Sequence, residues 1–526
     1  GGVSPLRQAG ATFVVIATIS FVLTVEQRRW TWSLAFALGW GAVVALVGWF
    51  TASYNQQGEI FEWPFLSGLF AVLLAAPLFQ TVRDEGAWRF PYAKLHGHAW
   101  TDAVIGAASL AFVGIAFLLA WLIAMLFDLI GIDLIKELLQ KEWFGWMLAG
   151  FAFGSALGLL RERDALVATL QRLVMVVLGV LAPVLAVALL LFLASLPFTG
   201  LTKLWDSSVP ATPLMLLAGA GAILLANAVI GNGDDDRATS RVLRIASQAL
   251  VLCVLPLAII AAVSLSQRIG QYGWTPERIW GVVAVAIAVG YGLAGWWSVA
   301  RGRVNFDDLL RPLQTKMAIG LCGLALFLAL PILDFGAISA NSQMARFASG
   351  KVDANEFDWK AMAFDFGPAG RERLAEIAKR GPPDQRKLAA TALAAKDRHQ
   401  VEEQVRQTDS AATLDTRLRI IPEGTALPAG LRESIAATRY CRVGSCVVTM
   451  VDQRRAVIAG PLIKDDNVET ALLMPNAKGV WQQDIHSRFI AKPPFRPDVS
   501  SAPVELRTVE RRQLYIDGKP VGDAFE

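Results

Sequence analysis

His96, His98 and Asp102 fall within seven residues, in the stretch Tyr92-Ala-Lys-Leu-His96-Gly-His98-Ala-Trp100-Thr-Asp102. Two imidazoles and a carboxylate at that spacing could hold a metal or pass protons. The spacing matches no standard zinc pattern, and no third histidine lies nearby, so no metal is expected. Tyr92, His96, His98 and Trp100 would serve equally as interfacial anchors, with Asp102 capping the helix that follows. His96, His98 and Asp102 are therefore the only group in the chain to which catalysis could be assigned, and anchoring is the preferred reading. The chain has no phosphate-cradling Gly-Lys-Ser/Thr loop, no Gly-x-Ser-x-Gly elbow and no His-Glu-x-x-His pair. Cofactors are not expected, and an enzyme is the less favoured class.

Other patterned residues have mechanical readings. Gly150, Gly154 and Gly158 recur every four positions and would let a second helix approach closely, within the bundle or between copies. In Tyr272-Gly273-Trp274-Thr275-Pro276-Glu277-Arg278, Thr suits an N-cap, Pro the first turn and Glu the positive end of the helix dipole. Asn227 is the polar side chain that stands out inside an apolar run, where an interhelical hydrogen bond is its expected use. The acidic run Gly231-Asn232-Gly233-Asp234-Asp235-Asp236 reads as a loop, since calcium loops need alternate ligands and a distal Glu.

Composition decides where these residues sit. Of 526 residues, 54% are hydrophobic and 18% charged, whereas a soluble domain carries about a quarter charged residues. Residues 1–336 hold 41 charges and 15 of the 17 Trp, and residues 337–526 hold 53 charges. The sequence thus predicts a mainly α, polytopic transmembrane helical bundle over 1–336 and a C-terminal α+β soluble domain over 337–526.

A bilayer core of roughly 30 Å takes about 20 apolar residues per helix. Ten runs qualify: 9–25, 30–50, 64–82, 103–127, 143–160, 173–197, 213–231, 247–266, 279–300 and 317–335. Trp30, Trp32, Trp49, Trp63, Trp143, Trp280, Trp296 and Trp297 lie near run ends, as headgroup-level rings should. Asp128–Glu142 reads as a short interfacial amphipathic helix. Pro77, Pro183, Pro256 and Pro331 predict kinks.

Loops on one side of this arrangement hold 15 Lys/Arg and those on the other hold 6. Basic residues in short loops stay in the cytoplasm, so both chain ends are expected outside, and the tail is expected to be periplasmic in a cell with two membranes. The chain opens Gly-Gly-Val-Ser without Met, which points to a processed or truncated start. An outward N-terminus is what one preceding helix would produce.

In the tail, Asp358–Arg380 and Pro383–Gln407 read as helices. Strands are expected at 416–421, 446–451, 456–459, 471–474 and 513–517, with Asp517-Gly518 as a hairpin turn. Cys441 and Cys446 flank Gly444. An oxidising compartment would permit a disulfide, and two unpaired thiols in a strand and turn are the other reading. The tail's charge is balanced, with 28 basic and 25 acidic residues, so nucleic acid is not an expected partner. The expected partners are the lipid bilayer and a periplasmic protein or ligand.

Three stretches together resemble a known group: Tyr92 to Asp102, Gln271-Tyr-Gly-Trp-Thr-Pro-Glu-Arg278, and Asp334-Phe-Gly-Ala-Ile-Ser-Ala-Asn-Ser-Gln343. With the ten-run layout, the chain is similar to multi-pass membrane proteins of the domain-of-unknown-function 4153 family over residues 10–380. Tyr272, Gly273, Thr275 and Arg278 carry the most specific part of that likeness. The resemblance implies a bacterial inner-membrane protein and brings no activity, substrate or catalytic residue with it.

Three functional classes follow. The first is an envelope protein whose bundle displays a binding, sensing or scaffold domain in the periplasm. The second is a transporter or lipid-linked flippase, for which the prolines speak and the lack of an internal repeat speaks against. The third is a membrane-embedded transferase built on His96, His98 and Asp102.

Overall fold

The computed structural model describes residues 4–525 except 27, 55–61, 201–209, 234–235, 355, 402–413, 439–440, 442–444, 462–467, 477–478, 484–488, 491–511 and 517–518. The expected turn residues Asp517 and Gly518, together with Gly444, Asp234 and Asp235, lie outside the described residues. The chain divides into two compact units, Gly1–Val352 with Ala361–Glu376, and Asp353–Lys360 with Ile377–Glu526.

The first unit is helical. Its elements are α1 (Pro5–Thr24), α2 (Trp30–Tyr54), α3 (Glu62–Glu85), α4 (Tyr92–Asp128), α5 (Leu134–Leu139), α6 (Glu142–Arg161), α7 (Asp164–Thr199), α8 (Ala211–Ile230), α9 (Arg241–Tyr272), α10 (Pro276–Gly302), α11 (Phe306–Ala329) and α12 (Phe335–Ala348). Nine stretches among the described residues are long and apolar enough to cross a membrane, and the last of them, Pro276–Ala329, contains both α10 and α11. A 3-10 turn at Arg303–Asn305 separates these two helices. A Cβ on Gly290 would lie 3.7 Å from Met317 Cε. Gly290 lies 13 residues before that turn and Met317 12 residues after it, so the chain doubles back there and the two helices lie antiparallel. Every one of the ten predicted runs thereby has its helix.

Neighbouring helices pack antiparallel where small residues let backbones approach. A Cβ on Gly292 would lie 2.7 Å from Leu255 Cα, and one on Gly41 would lie 2.9 Å from Ala17 Cβ. The largest core joins α7 to α11 and includes Ala182, Ala222, Leu250, Leu257 and Ala261, all fully excluded from solvent.

Four expectations need correction. The Gly150, Gly154 and Gly158 stripe of α6 does not make the close approach expected within the bundle, because an added Cβ would meet no described atom of the chain within 4 Å at any of the three; the contact between copies stands as an expectation. The packed face of α6 is the opposite one, with Ala152, Ala156 and Leu157 buried. Pro331 follows the end of α11 instead of kinking a helix, and between the end of α4 at Asp128 and the start of α6 at Glu142 the chain is helical only over Leu134–Leu139. The compositional break at Gly336 also falls before the structural one. Helix α12 belongs to the first unit because its polar face receives the end of α9, as described below.

The expected helix over Asp358–Arg380 is two, α13 (Trp359–Phe364) and α14 (Gly367–Arg380), each with residues in both units. The second unit also carries α15 (Pro383–Ala394), α16 (Leu431–Ala437) and a six-stranded sheet of β1 (Leu418–Ile421), β2 (Cys446–Asp452), β3 (Arg455–Pro461), β4 (Val468–Pro475), β5 (Trp481–Gln483) and β6 (Phe489–Ile490). Strands β1 and β2 run parallel and the other pairs are antiparallel. Leu431 and Ile435 of α16 are buried with Val448, Ile458, Leu473 and Trp481. Each such aliphatic side chain contributes about 1.5–3 kcal/mol on burial. Cys441 and Cys446 are joined by a disulfide with Cα atoms 5.1 Å apart. Strands β7 (Arg512–Ile516) and β8 (Lys519–Phe525) pair as an antiparallel hairpin.

Candidate functional site

Helix α4 begins at Tyr92, so Asp102 lies in its third turn and does not cap it. Two residues of helix rotate a side chain by about 200°, which sends His96 and His98 to opposite faces. His96 Nδ1 lies 2.6 Å from Asn232 Oδ1, and Trp100 Nε1 donates to His96 Nε2 at 3.0 Å. Asn232 donates its amide nitrogen to Asp236 Oδ2 at 3.2 Å, which turns its oxygen toward His96. Nδ1 therefore carries the proton and Nε2 accepts, the arrangement of a neutral ring with both nitrogens engaged. The Tyr92 ring stacks on His96 at 4.9 Å.

His98 Nε2 lies 3.0 Å from Asp84 Oδ2. Asp102 Oδ1 accepts from Gln80 Nε2 at 3.2 Å and lies 4.0 Å from Arg161. The structure thus does not bring His96, His98 and Asp102 into one site, and the metal or catalytic arrangement that their spacing allowed is not formed. Each instead ties α4 to a different segment.

Around Asp102 and His98 the end of α1 is closed by side chains. The last carbonyls of a helix have no partner of their own and carry partial negative charge. Thr24 O accepts from Arg83 and from Ser33 Oγ, the latter at 2.8 Å. Leu23 O accepts from Gln80 at 3.0 Å and Val25 O from Arg161 at 3.3 Å. Arg83 is 5% exposed and pairs with Glu26 at 3.1 Å and Asp84 at 2.9 Å.

A second buried ion group went unread in the sequence. Asp307, 1% exposed, lies 3.0 Å from Arg237 and 2.9 Å from Arg311. Arg311 also donates to Ile230 O at 3.1 Å, closing the end of α8. One turn further along, Gln314 donates to Asn227 Oδ1 at 2.8 Å, the interhelical bond expected of Asn227. The available signal was the i, i+4 spacing of Asp307 and Arg311. Asp307 and Arg311 fall between the apolar runs 279–300 and 317–335, where the run pattern predicts a loop, and that hides the helical spacing.

At the other end of the bundle two of the motif stretches meet. Thr275 caps α10, accepting from Arg278 N at 3.4 Å. Gln343 of α12 donates to Tyr272 O and Trp274 O, and Ser342 Oγ accepts from Trp274 N. Arg346 donates to Gly270 O and Gln271 O. Arg278 donates to Gly273 O at 2.7 Å and lies over the Tyr272 ring at 5.5 Å. Gly273 has φ +75°, and a Cβ there would lie 2.6 Å from Arg346 Cδ. Only glycine accommodates both the backbone and the contact.

Beside this junction the ends of α2, α3, α10 and α11 enclose a cavity of about 180 Å³. Phe50, Trp63, Trp280, Phe335, Asp334 and Asp365 are on its wall. Trp280 stacks on Trp63 at 5.8 Å and meets Phe335 edge-on at 5.4 Å. A second cavity, of about 540 Å³, lies between α7 and the end of α8, with Gln171, Arg172, Asn232 and Asp236 toward the helix ends and Val176 and Val180 further in.

A family model described as "Domain of unknown function (DUF4153)" matches residues 11–365, most of the chain, and the chain belongs to that family. No curated protein matches the chain, and no solved structure does.

Proposed function

We propose that this member of the DUF4153 family is an inner-membrane envelope protein that binds and displays and does not catalyse. In this reading the bundle holds the second unit on the periplasmic side, where that unit binds or senses a protein or ligand. The observation that carries the reading is how the candidate catalytic side chains are employed. His96, His98 and Asp102 each hold a group on another segment, Asn232, Asp84 and Gln80 respectively.

The 15 to 6 distribution of basic residues supports the outward tail, and the Cys441–Cys446 bond suits an oxidising compartment. Proximity labelling from a tag on the second unit in intact cells tests the proposal. Labelled neighbours confined to envelope proteins are expected, and labelling of cytosolic proteins would contradict it.

Transport is the second reading, favoured by the 540 Å³ cavity and by Pro183 and Pro256 inside α7 and α9. Against it stand the apolar inner wall of that cavity and the fully excluded Ala182, Ala222, Leu257 and Ala261 between the same helices. A transferase at His96 and His98 is disfavoured because the two rings face apart.

A further inference from the structure

We propose that the cavity between α7 and the end of α8 seats one phospholipid, its phosphate against Arg172 and an acyl chain along Val176 and Val180. Gln171, Arg172, Met175, Val176, Gly179 and Val180 belong to its wall. They recur at intervals of three and four residues and so share one face of α7. That face runs from polar to apolar. Arg172 is the last charged residue before the apolar run 173–197, at the depth where a span meets headgroups. Val180 lies eight positions further on, about 12 Å along the helix. One leaflet of a core of roughly 30 Å is about 15 Å deep, so the wall follows a lipid from its phosphate well into its chain.

The space along this face is open. Gly179 is buried, yet a Cβ on it would meet no described atom within 4 Å. What lies before Gly179 is therefore cavity and not a neighbouring helix. Val176 and Val180 are 58% and 64% exposed, so a chain can enter from the side, out of the bilayer. The volume of about 540 Å³ is more than three times the roughly 150 Å³ that holds a benzene-sized guest.

The cation at the rim is available. Arg172 is exposed, and no described residue bonds or pairs with its guanidinium. A guanidinium takes a phosphate through two parallel hydrogen bonds, and basic side chains between spanning helices suit lipid headgroups. Asp236, just past the end of α8, accepts from Asn232 and is the other charge among the described lining residues. One cation with one carboxylate nearby suits a single phosphodiester and disfavours a headgroup with two phosphates. The inference is independent of the display function and holds for either orientation of the bundle.

The test is native mass spectrometry of the full chain in detergent, titrated with dioleoyl phosphatidylglycerol or with dioleoylglycerol, which has the same chains and no phosphate. The phospholipid is expected to bind about tenfold more tightly, equivalent to about 1.4 kcal/mol. Arg172→Gln should bring it down to the level of dioleoylglycerol. Gly179→Leu fills the cavity and leaves Arg172 in place, so it should weaken both lipids severalfold. Lipid held elsewhere on the apolar surface would be indifferent to position 179. Melting temperatures of the two variants should match that of the unaltered chain, since Arg172 is exposed and position 179 has room.

Equal binding of the two lipids by the unaltered chain, a preference unchanged in R172Q, or phospholipid binding unchanged in G179L overturns the proposal. Displacement of the phospholipid by an equal concentration of glycerol phosphate would overturn it too, because recognition would then rest on the phosphate without the chain.

Discussion

Gln343 donates its side-chain amide to two carbonyls that flank Gly273, Tyr272 O at 2.9 Å and Trp274 O at 3.0 Å. These carbonyls belong to the end of α9 and the turn after it, and Gln343 lies 71 residues from Tyr272 in the chain. The relationship gives a physical reason for two separate motif stretches. One supplies a helix end with unsatisfied acceptors, and the other supplies the donors.

Gly273→Ala and Gln343→Leu should therefore weaken the same junction. Alanine at φ +75° costs about 1–3 kcal/mol before the clash with Arg346 is counted. Gln343→Leu removes two exposed hydrogen bonds, each contributing about 0.5–1.5 kcal/mol. Thermal unfolding in detergent measures both. Since the two residues share partners, the double variant should lose less than the sum of the singles, and strict additivity would refute the shared junction.

Two glycines of the bundle should respond in opposite ways. Gly292→Leu would drive a side chain into the backbone of α9 at Leu255, and overpacking of this kind costs about 1–3 kcal/mol. Gly154→Leu adds a side chain where nothing lies within 4 Å, so a change within about 0.5 kcal/mol is expected. A melting temperature that falls equally in both variants would show that the stripe on α6 is a packed face after all.

The contrast between these glycines marks what sequence reading reaches. All ten apolar runs were legible because hydrocarbon imposes length and composition on a helix, whatever its neighbours. Which face of a helix packs depends on partners far away in the chain. The spacing of Gly150, Gly154 and Gly158 therefore points to a packing face that no described residue of the chain itself meets, while Gly292 and Gly295 meet α9. The same limit separated His96 from His98, because adjacency in sequence is not adjacency on a helix. In the second unit the main strands were readable from β-branched and apolar runs. Helix α16 and strand β5 were not, since Leu431 and Ile435 gain their burial only from Trp481 and the sheet.

Arg83 should be the costliest single change at its end of the bundle. Arg83→Met removes a buried cation from Glu26, Asp84 and the Thr24 carbonyl together, an expected loss of about 3 kcal/mol. That is the low end for a buried pair, because Glu26 is 44% exposed. Arg83→Lys restores the charge without the planar fork and should recover only part of it. Chemical or thermal unfolding of the purified chain measures the series. Full recovery in the lysine variant would show that the charge alone, and not the bonds to the end of α1, is what matters.

Removing the Cys441–Cys446 bond should destabilise the second unit by about 2 kcal/mol, the loop-entropy value for so short a loop. Protease resistance of the second unit with and without reductant reads this out. Alkylation of intact cells with a maleimide before and after reduction is the direct check. Two thiols should be labelled there only after reduction, and ready labelling beforehand would show that the bond does not form in the cell.

The central claim, that the second unit is held outside the cytoplasm, is tested most directly by fusing reporters after Glu526. An alkaline phosphatase fusion should be active, and a green fluorescent protein fusion exported by the same route should stay dark. A fluorescent fusion together with a silent phosphatase would invert the topology and remove the basis for an extracytoplasmic partner.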